Sequence, residues 1–346
     1  MSRRLAERGG VAGARGARGM TLVELMIALV LGLIVTGAAL AVFSANKRIY
    51  EATESLGRVQ ETARTAFELM ARDLREAAGN PCEAGLPVVN VVNGAETRWW
   101  TDFRGGVRGY AGSAAFPDAG FGSSAGARVS GTAALELKSA VSRGVTVVSH
   151  NAPAASFQVN TVNHGLADGD IVMVCDFDHA AIFQVTNASP GINATIVHNT
   201  GTGSPGNCTK GLGFSNPVNC SALGVGYAYG PNSVIAPLRM SRWYVGHNGR
   251  GGRSLYRAQL VNVGGTPQVR VQEIVDGVRD LQLQYLRAGE AAYADAAAIP
   301  AADWLGERIV AVRIVLTVEG PGRIGGDGSR LERRLEHTVT LRNRAA

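Results

Sequence analysis

The chain has 346 residues, 46% hydrophobic, 18% charged and 6% aromatic, with 45 glycines; this is enough for one or two packed domains and excludes a disordered or collagen-like chain. Its formal net charge is +6, but five arginines against one glutamate in residues 1–19 supply four of those charges. The basic balance therefore belongs to the N-terminus and does not describe a general nucleic-acid-binding surface.

Residues 1–19 form a basic leader. From Leu25 to Asn46 there are 22 consecutive residues without a formal charge. As a helix they span roughly 33 Å, against a bilayer core of roughly 30 Å. Residues 20–46 are thus predicted to be a transmembrane helix segment. The run is too long for the apolar region of a secretory signal and passes directly into charged sequence. Five arginines before it and no second span predict a single-pass membrane protein, in contact with lipid, with a cytoplasmic N-terminus and the bulk of the chain periplasmic or extracellular. Glu24 stands at the edge of the run, where an ionisable group is costly and needs a partner.

Helical period continues through residues 47–79. Leu56, Val59, Ala63, Phe67, Met70, Leu74 and Ala77 form one apolar stripe, charged residues occupy the other faces, and Gly79-Asn80-Pro81 supplies a stop. The stripe reads as the face of an amphipathic continuation that packs on a sheet. Beyond Pro81, short β-branched runs separated by Gly, Asn, Pro and Ser replace the helical pattern. Residues 80–235 read as a loop-rich β elaboration and residues 236–346 as a C-terminal antiparallel sheet region.

Candidate strands are Val145 to Ser149, Asp170 to Asp176, Ile182 to Thr186, Arg239 to Val245, Ser254 to Gln259, Val269 to Ile274 and Leu281 to Arg287. The clearest alternation lies in Arg308 to Glu319 and Leu331 to Arg342, with Gly320-Pro321-Gly322 and the glycines at 325, 326 and 328 as the turn between them. The fold class expected is α+β: a long N-terminal transmembrane and amphipathic helix packed on a mainly antiparallel β-sheet, with a large loop-rich β elaboration.

Cys82, Cys175, Cys208 and Cys220 all fall on the predicted periplasmic side, where disulfides persist. A Cys208–Cys220 bond would close the Gly/Asn/Pro loop between them and leave Cys82 to pair with Cys175, one of three connectivities among which spacing does not choose. A four-cysteine zinc site is the competing reading, but the spacings match no zinc motif, and neither a metal nor another cofactor is expected. Asp176, Asp178 and His179 beside Cys175 read as a turn after a strand. The six histidines show no nucleophile–base or metalloprotease pattern, so no catalytic residue and no enzyme are expected. Arg250, Arg253 and Arg257, interleaved with aromatics, are candidate contacts to a DNA strand. An exposed sheet face with a flexible loop explains them equally well, and nucleic acid is not an expected partner.

The segment Arg18-Gly19-Met20-Thr21-Leu22-Val23-Glu24-Leu25 and the apolar run after it resemble the N-terminus of type IV pilins, although most members have phenylalanine where this chain has Met20. The resemblance implies that the chain sits in the inner membrane with its C-terminal domain in the periplasm, and that a prepilin peptidase cuts between Gly19 and Met20 and methylates the new N-terminus. It also implies that Glu24 is a docking charge, pairing with the ammonium of a neighbouring subunit because both charges are costly in lipid. Residues 66–75 followed by Cys82, then 169–174 with 182–186, 243–245 with 254–257, and 273–278 running to 283–285, are similar to the PilW family of minor pilins. That family resemblance implies a part in initiating type IV pilus assembly, a place at the pilus tip, and other minor pilins and the major pilin as partners. Val275-Asp276-Gly277-Val278 with the strand from Arg308 also resembles the J-type minor pseudopilin of type II secretion. A single-pass anchored periplasmic binding protein is the alternative from a different class.

Overall fold

The computed structural model describes residues 19–82, 85–323 and 329–344. Helix α1 runs Leu22–Glu76. Two compact units divide between Glu54 and Ser55. In the first, the apolar side chains of the helix are exposed, Leu22 at 74% and Phe43 at 69% among them. This is the one helix among the described residues long and apolar enough to cross a membrane.

The second unit takes α1 from Ser55 onward together with all the strands. β1 (Val88–Asn90), β2 (Val107–Tyr110) and β3 (Ala134–Ala140) come first. β4 (Val147–Asn151), β5 (Ser156–Val159), β6 (Ile171–Cys175), β7 (Ala180–Gln184), β8 (Asn187–Ala188) and β9 (Thr195–Val197) follow. Then come β10 (Val234–His247), β11 (Arg253–Val263), β12 (Thr266–Asp276), β13 (Val278–Arg287) and β14 (Ala294–Asp295). A short helix α2 (Ala301–Leu305), β15 (Ile309–Arg323) and β16 (Arg330–Thr340) close the chain.

The strands make three sheets. An eight-stranded sheet has the order β1-β7-β6-β10-β11-β12, with β3 also paired to β10 and β2 to β3. Two further sheets have four strands each, one ordered β14-β13-β15-β16 and a smaller one, of shorter strands, ordered β4-β5-β9-β8. Every strand pair is antiparallel except β1 with β7. β10 joins the elaboration to the rest of the unit: Val234 to Pro237 pair with β6, and Leu238 to Tyr244 pair with β3. The chain passes from β12 in one sheet to β13 in another through Gly277 alone.

The apolar stripe of α1 fills the main core. Val59, Ala63, Ala66, Met70, Ala71 and Leu74 are buried against Leu135 and Leu137 of β3, Trp243 and Val245 of β10, and the inward residues of β13 and β15. Burial of each large apolar side chain there contributes about 1.5–3 kcal/mol. Trp243 Nε1 donates to Asp73 at 2.9 Å, and Arg239 pairs with Glu76 at 2.9 Å, so charged groups on the last turns of α1 are held by β10. Burial raises the Asp73 carboxyl above its ordinary range, against the lowering effect of Trp243 and Arg257.

The opposite face of β3 and β10 is also covered, and its buried groups are charged. Arg242 donates to Glu136 at 2.8 Å and to Asp118 at 2.6 Å, while Lys138 lies 3.0 Å from the other Glu136 oxygen. The Arg242 guanidinium lies 4.4 Å from the centres of both the Trp99 and the Phe116 rings. The smaller sheet packs over one face of β6 and β7 to form a second core around Phe157, Phe183, Ile196 and Tyr229.

The strands predicted from sequence are present with shifted ends, and β1, β2, β3, β5, β8, β9 and β14 are additional. One expectation is corrected. Gly320-Pro321-Gly322 is not a turn: β15 continues through it to Arg323, with irregular pairing past Glu319. Pro321 has no N–H to leave unpaired where the ladder is already interrupted, and a Cβ on Gly320 would come within 2.0 Å of Ser55 Oγ on α1. The predicted turn at residues 325, 326 and 328 lies outside the described residues.

Candidate functional site at the N-terminus of the helix

Gly19, Met20 and Thr21 are exposed and precede the first helical residue, Leu22. The Thr21 N–H donates to Glu24 Oε2 at 2.9 Å, and the Glu24 N–H donates to Thr21 Oγ1 at 3.2 Å. The Thr21 hydroxyl also donates to the same carboxylate oxygen, at 3.0 Å. This reciprocal pair is a capping box: each side chain satisfies a backbone donor left without an intrahelical partner at the start of a helix.

The arrangement has two chemical consequences. The Glu24 carboxylate is held at the positive end of the helix, where a negative charge is favoured. The Gly19–Met20 peptide bond is also kept outside the helix, in non-helical backbone. In the sequence Glu24 stands out by its charge and by the pilin-like segment around it, while Thr21 has no role of its own there; Thr-x-x-Glu immediately before an apolar run is the signal that identifies both.

The four cysteines form two disulfides, Cys82–Cys175 and Cys208–Cys220, with Cα atoms 6.1 and 5.0 Å apart. The first ties the segment after α1 to the end of β6. The second closes the Gly/Asn/Pro loop. Asp176 and Asp178 sit in the turn between β6 and β7, where both carboxylates accept from the Tyr227 hydroxyl, at 2.6 and 3.2 Å. Burial alone would raise Asp176, but Tyr227 and the Asp178 and His179 amides hold it below its ordinary range.

The three arginines considered for DNA contact have partners within the fold. Arg250 pairs with Glu273 and with Asp276. Arg253 donates to the Arg279 carbonyl at 3.0 Å. Arg257 lies 3.8 Å from Asp73 and against the Trp243 ring.

A model of the prokaryotic N-terminal methylation motif matches residues 14–40. Comparison with curated proteins gives no match. Among solved structures the chain is similar to a type IV-like pilin from Thermus thermophilus, at 12% identity and a TM-score of 0.22, over 53% of this chain and 87% of that one. The methylation motif, placed on a long apolar helix that leads into a mainly antiparallel β domain, supports a pilin-type structural protein held to a membrane by that helix.

Proposed function

We propose that the chain is a PilW-like minor pilin that takes part in initiating type IV pilus assembly and sits at the pilus tip, a structural protein and not an enzyme. A prepilin peptidase cuts between Gly19 and Met20, the new amine is methylated, and Glu24 docks against the ammonium of a neighbouring pilin. The arginine-rich leader faces the cytoplasm and the β unit the periplasm. The observation that carries this reading is the methylation motif over residues 14–40, in register with a Thr21–Glu24 box that opens the helix just after the expected cut.

The test is the intact mass and N-terminal sequence of the protein purified from membranes, beside a Gly19→Val variant. The expected result is a chain that starts at Met20 with one added methyl, and an unprocessed variant. A retained Met1, or a cut elsewhere that ignores the substitution, overturns the reading. The pseudopilin alternative rests on Val275–Val278 and the following β15 and shares the same processing; deleting the chain separates the two, since one predicts loss of pili and the other loss of secretion.

A further inference from the structure

β12 is a free edge of the eight-stranded sheet, pairing through ten of its eleven residues with β11, past a bulge at Ile274, and with no other strand among the described residues. The β11–β12 hairpin turns through Gly264 and Gly265, at φ 58° and 85°. Positive φ at both central residues is the backbone of a two-residue type I′ turn, which glycine adopts without strain. In such a hairpin the flanking residues, here Val263 and Thr266, exchange both backbone hydrogen bonds, and the pattern alternates from there. The backbone groups of Gln268, Arg270 and Gln272 therefore point to β11, and those of Val269 and Val271 point away from the sheet. Pro267, which has no N–H, falls in the outward set, as this alternation requires.

Exposed edges are usually blunted with charge. β16, the other eleven-residue edge, carries Glu332, Arg333, Arg334 and Glu336. β12 is less protected: Val269 and Val271 are 40% and 48% exposed. Of its two charges before Asp276, Glu273 is held by Arg250 and Ser254, whereas Arg270 has no partner among the described residues.

We propose that β12 is a docking strand that accepts an extended segment of a different protein by strand addition, with a carboxylate of that segment beside Arg270. The outward N–H and C=O groups of Val269 and Val271 supply the ladder, and their side chains cover apolar residues on one face of the segment. Arg270, on the other face, selects an acidic residue. A second copy paired about a two-fold through Val271 would set each Arg270 against Gln272 and leave its charge unanswered, so a different partner fits the edge better.

The test places photoreactive p-benzoylphenylalanine at position 271 of the full chain in its producing cells and maps the adducts by mass spectrometry. The expected result is an adduct to another protein at an extended segment bearing Asp or Glu beside the attachment point. It should fall about tenfold in the Arg270→Glu variant, as expected when a close charge pair is reversed. Val269→Pro, which deletes an outward N–H, should weaken it as well, and Val269→Thr should keep it. No adduct, an adduct between two copies, or one indifferent to Arg270→Glu would overturn the proposal. Arg270→Glu changes only an exposed side chain, so the test remains decisive if the proline variant does not fold.

Discussion

His150 and His198 face each other Nε2 to Nε2 at 3.0 Å, with His198 buried at the core of the elaboration and His150 half-buried against it. The Tyr229 N–H donates to His150 Nδ1 at 3.2 Å, so the proton of the neutral His150 ring is on Nε2 and is donated to His198. His198 then carries its own proton on Nδ1, which is buried and has no partner among the described residues. His150 stacks on Phe157 with ring centroids 4.0 Å apart, and Phe183 lies against His198. The pair is therefore built for two neutral rings.

Stability should fall in mild acid. Burial pushes His150 down to about 4; burial, then His150 and Lys210, push His198 down to about 3. The unfolded chain takes up protons on both below about pH 6.5, while the folded chain excludes them. The stabilisation is thus complete above that pH and is lost as the pH falls toward the folded values. Thermal unfolding of the full chain in detergent should show a lower midpoint at pH 5 than at pH 7.5. The His150→Phe/His198→Phe variant should show a smaller difference, and an unchanged pH slope would refute the assignment.

Arg242→Met should be strongly destabilising. The substitution keeps a side chain of similar length between the Trp99 and Phe116 rings but leaves buried Glu136 with Lys138 as its only paired cation among the described residues. Removing one member of a buried pair costs about 3–5 kcal/mol. Denaturant unfolding should recover part of that loss when Glu136→Gln is added, because the unpaired charge is then gone.

The two disulfides should contribute unequally. The Cys82–Cys175 bond spans 93 residues and the Cys208–Cys220 bond 12. Loop-closure entropy assigns about 4–5 kcal/mol to the first and about 3 kcal/mol to the second. Serine replacement of each pair, followed by thermal unfolding, should lower the midpoint more for Cys82/Cys175.

Thr21→Ala should loosen the first turn of α1. It removes both hydroxyl contacts with Glu24 and should cost about 1 kcal/mol of local helix stability. Amide exchange at Leu22 to Glu24 in micelles should quicken, while Thr21→Ser retains the protection. Unaltered exchange in the alanine variant would show that the box does not hold the helix start.

The soluble part of the long helix and β16 were legible because each leaves one face exposed, and β15 because its second face carries Arg313, Thr317 and Glu319, which are only half-buried. The α1 stripe and the alternation of Val310 to Val318 are periodic for that reason. β3 was missed because both of its faces are covered: Ala-Leu-Glu-Leu-Lys-Ser-Ala is buried throughout, and its Glu136 is answered by Arg242 and Tyr110, which lie far from it in sequence. β6 is buried on both faces as well, but a continuous apolar run still marked it as a strand. At the candidate site Glu24 stood out by its charge, whereas Thr21 is ordinary until its spacing from Glu24 is considered. The His150–His198 pair had no local signature, since 48 residues separate its members.

The Cys82–Cys175 bond makes the intervening chain a covalent ring, entered just past α1 and left at the end of β6. A single proteolytic cut in one of its surface loops, such as the turn between β4 and β5, opens the ring but releases no fragment. The nicked protein stays one molecule until the bond is reduced, running as a single species without reductant and as two with it.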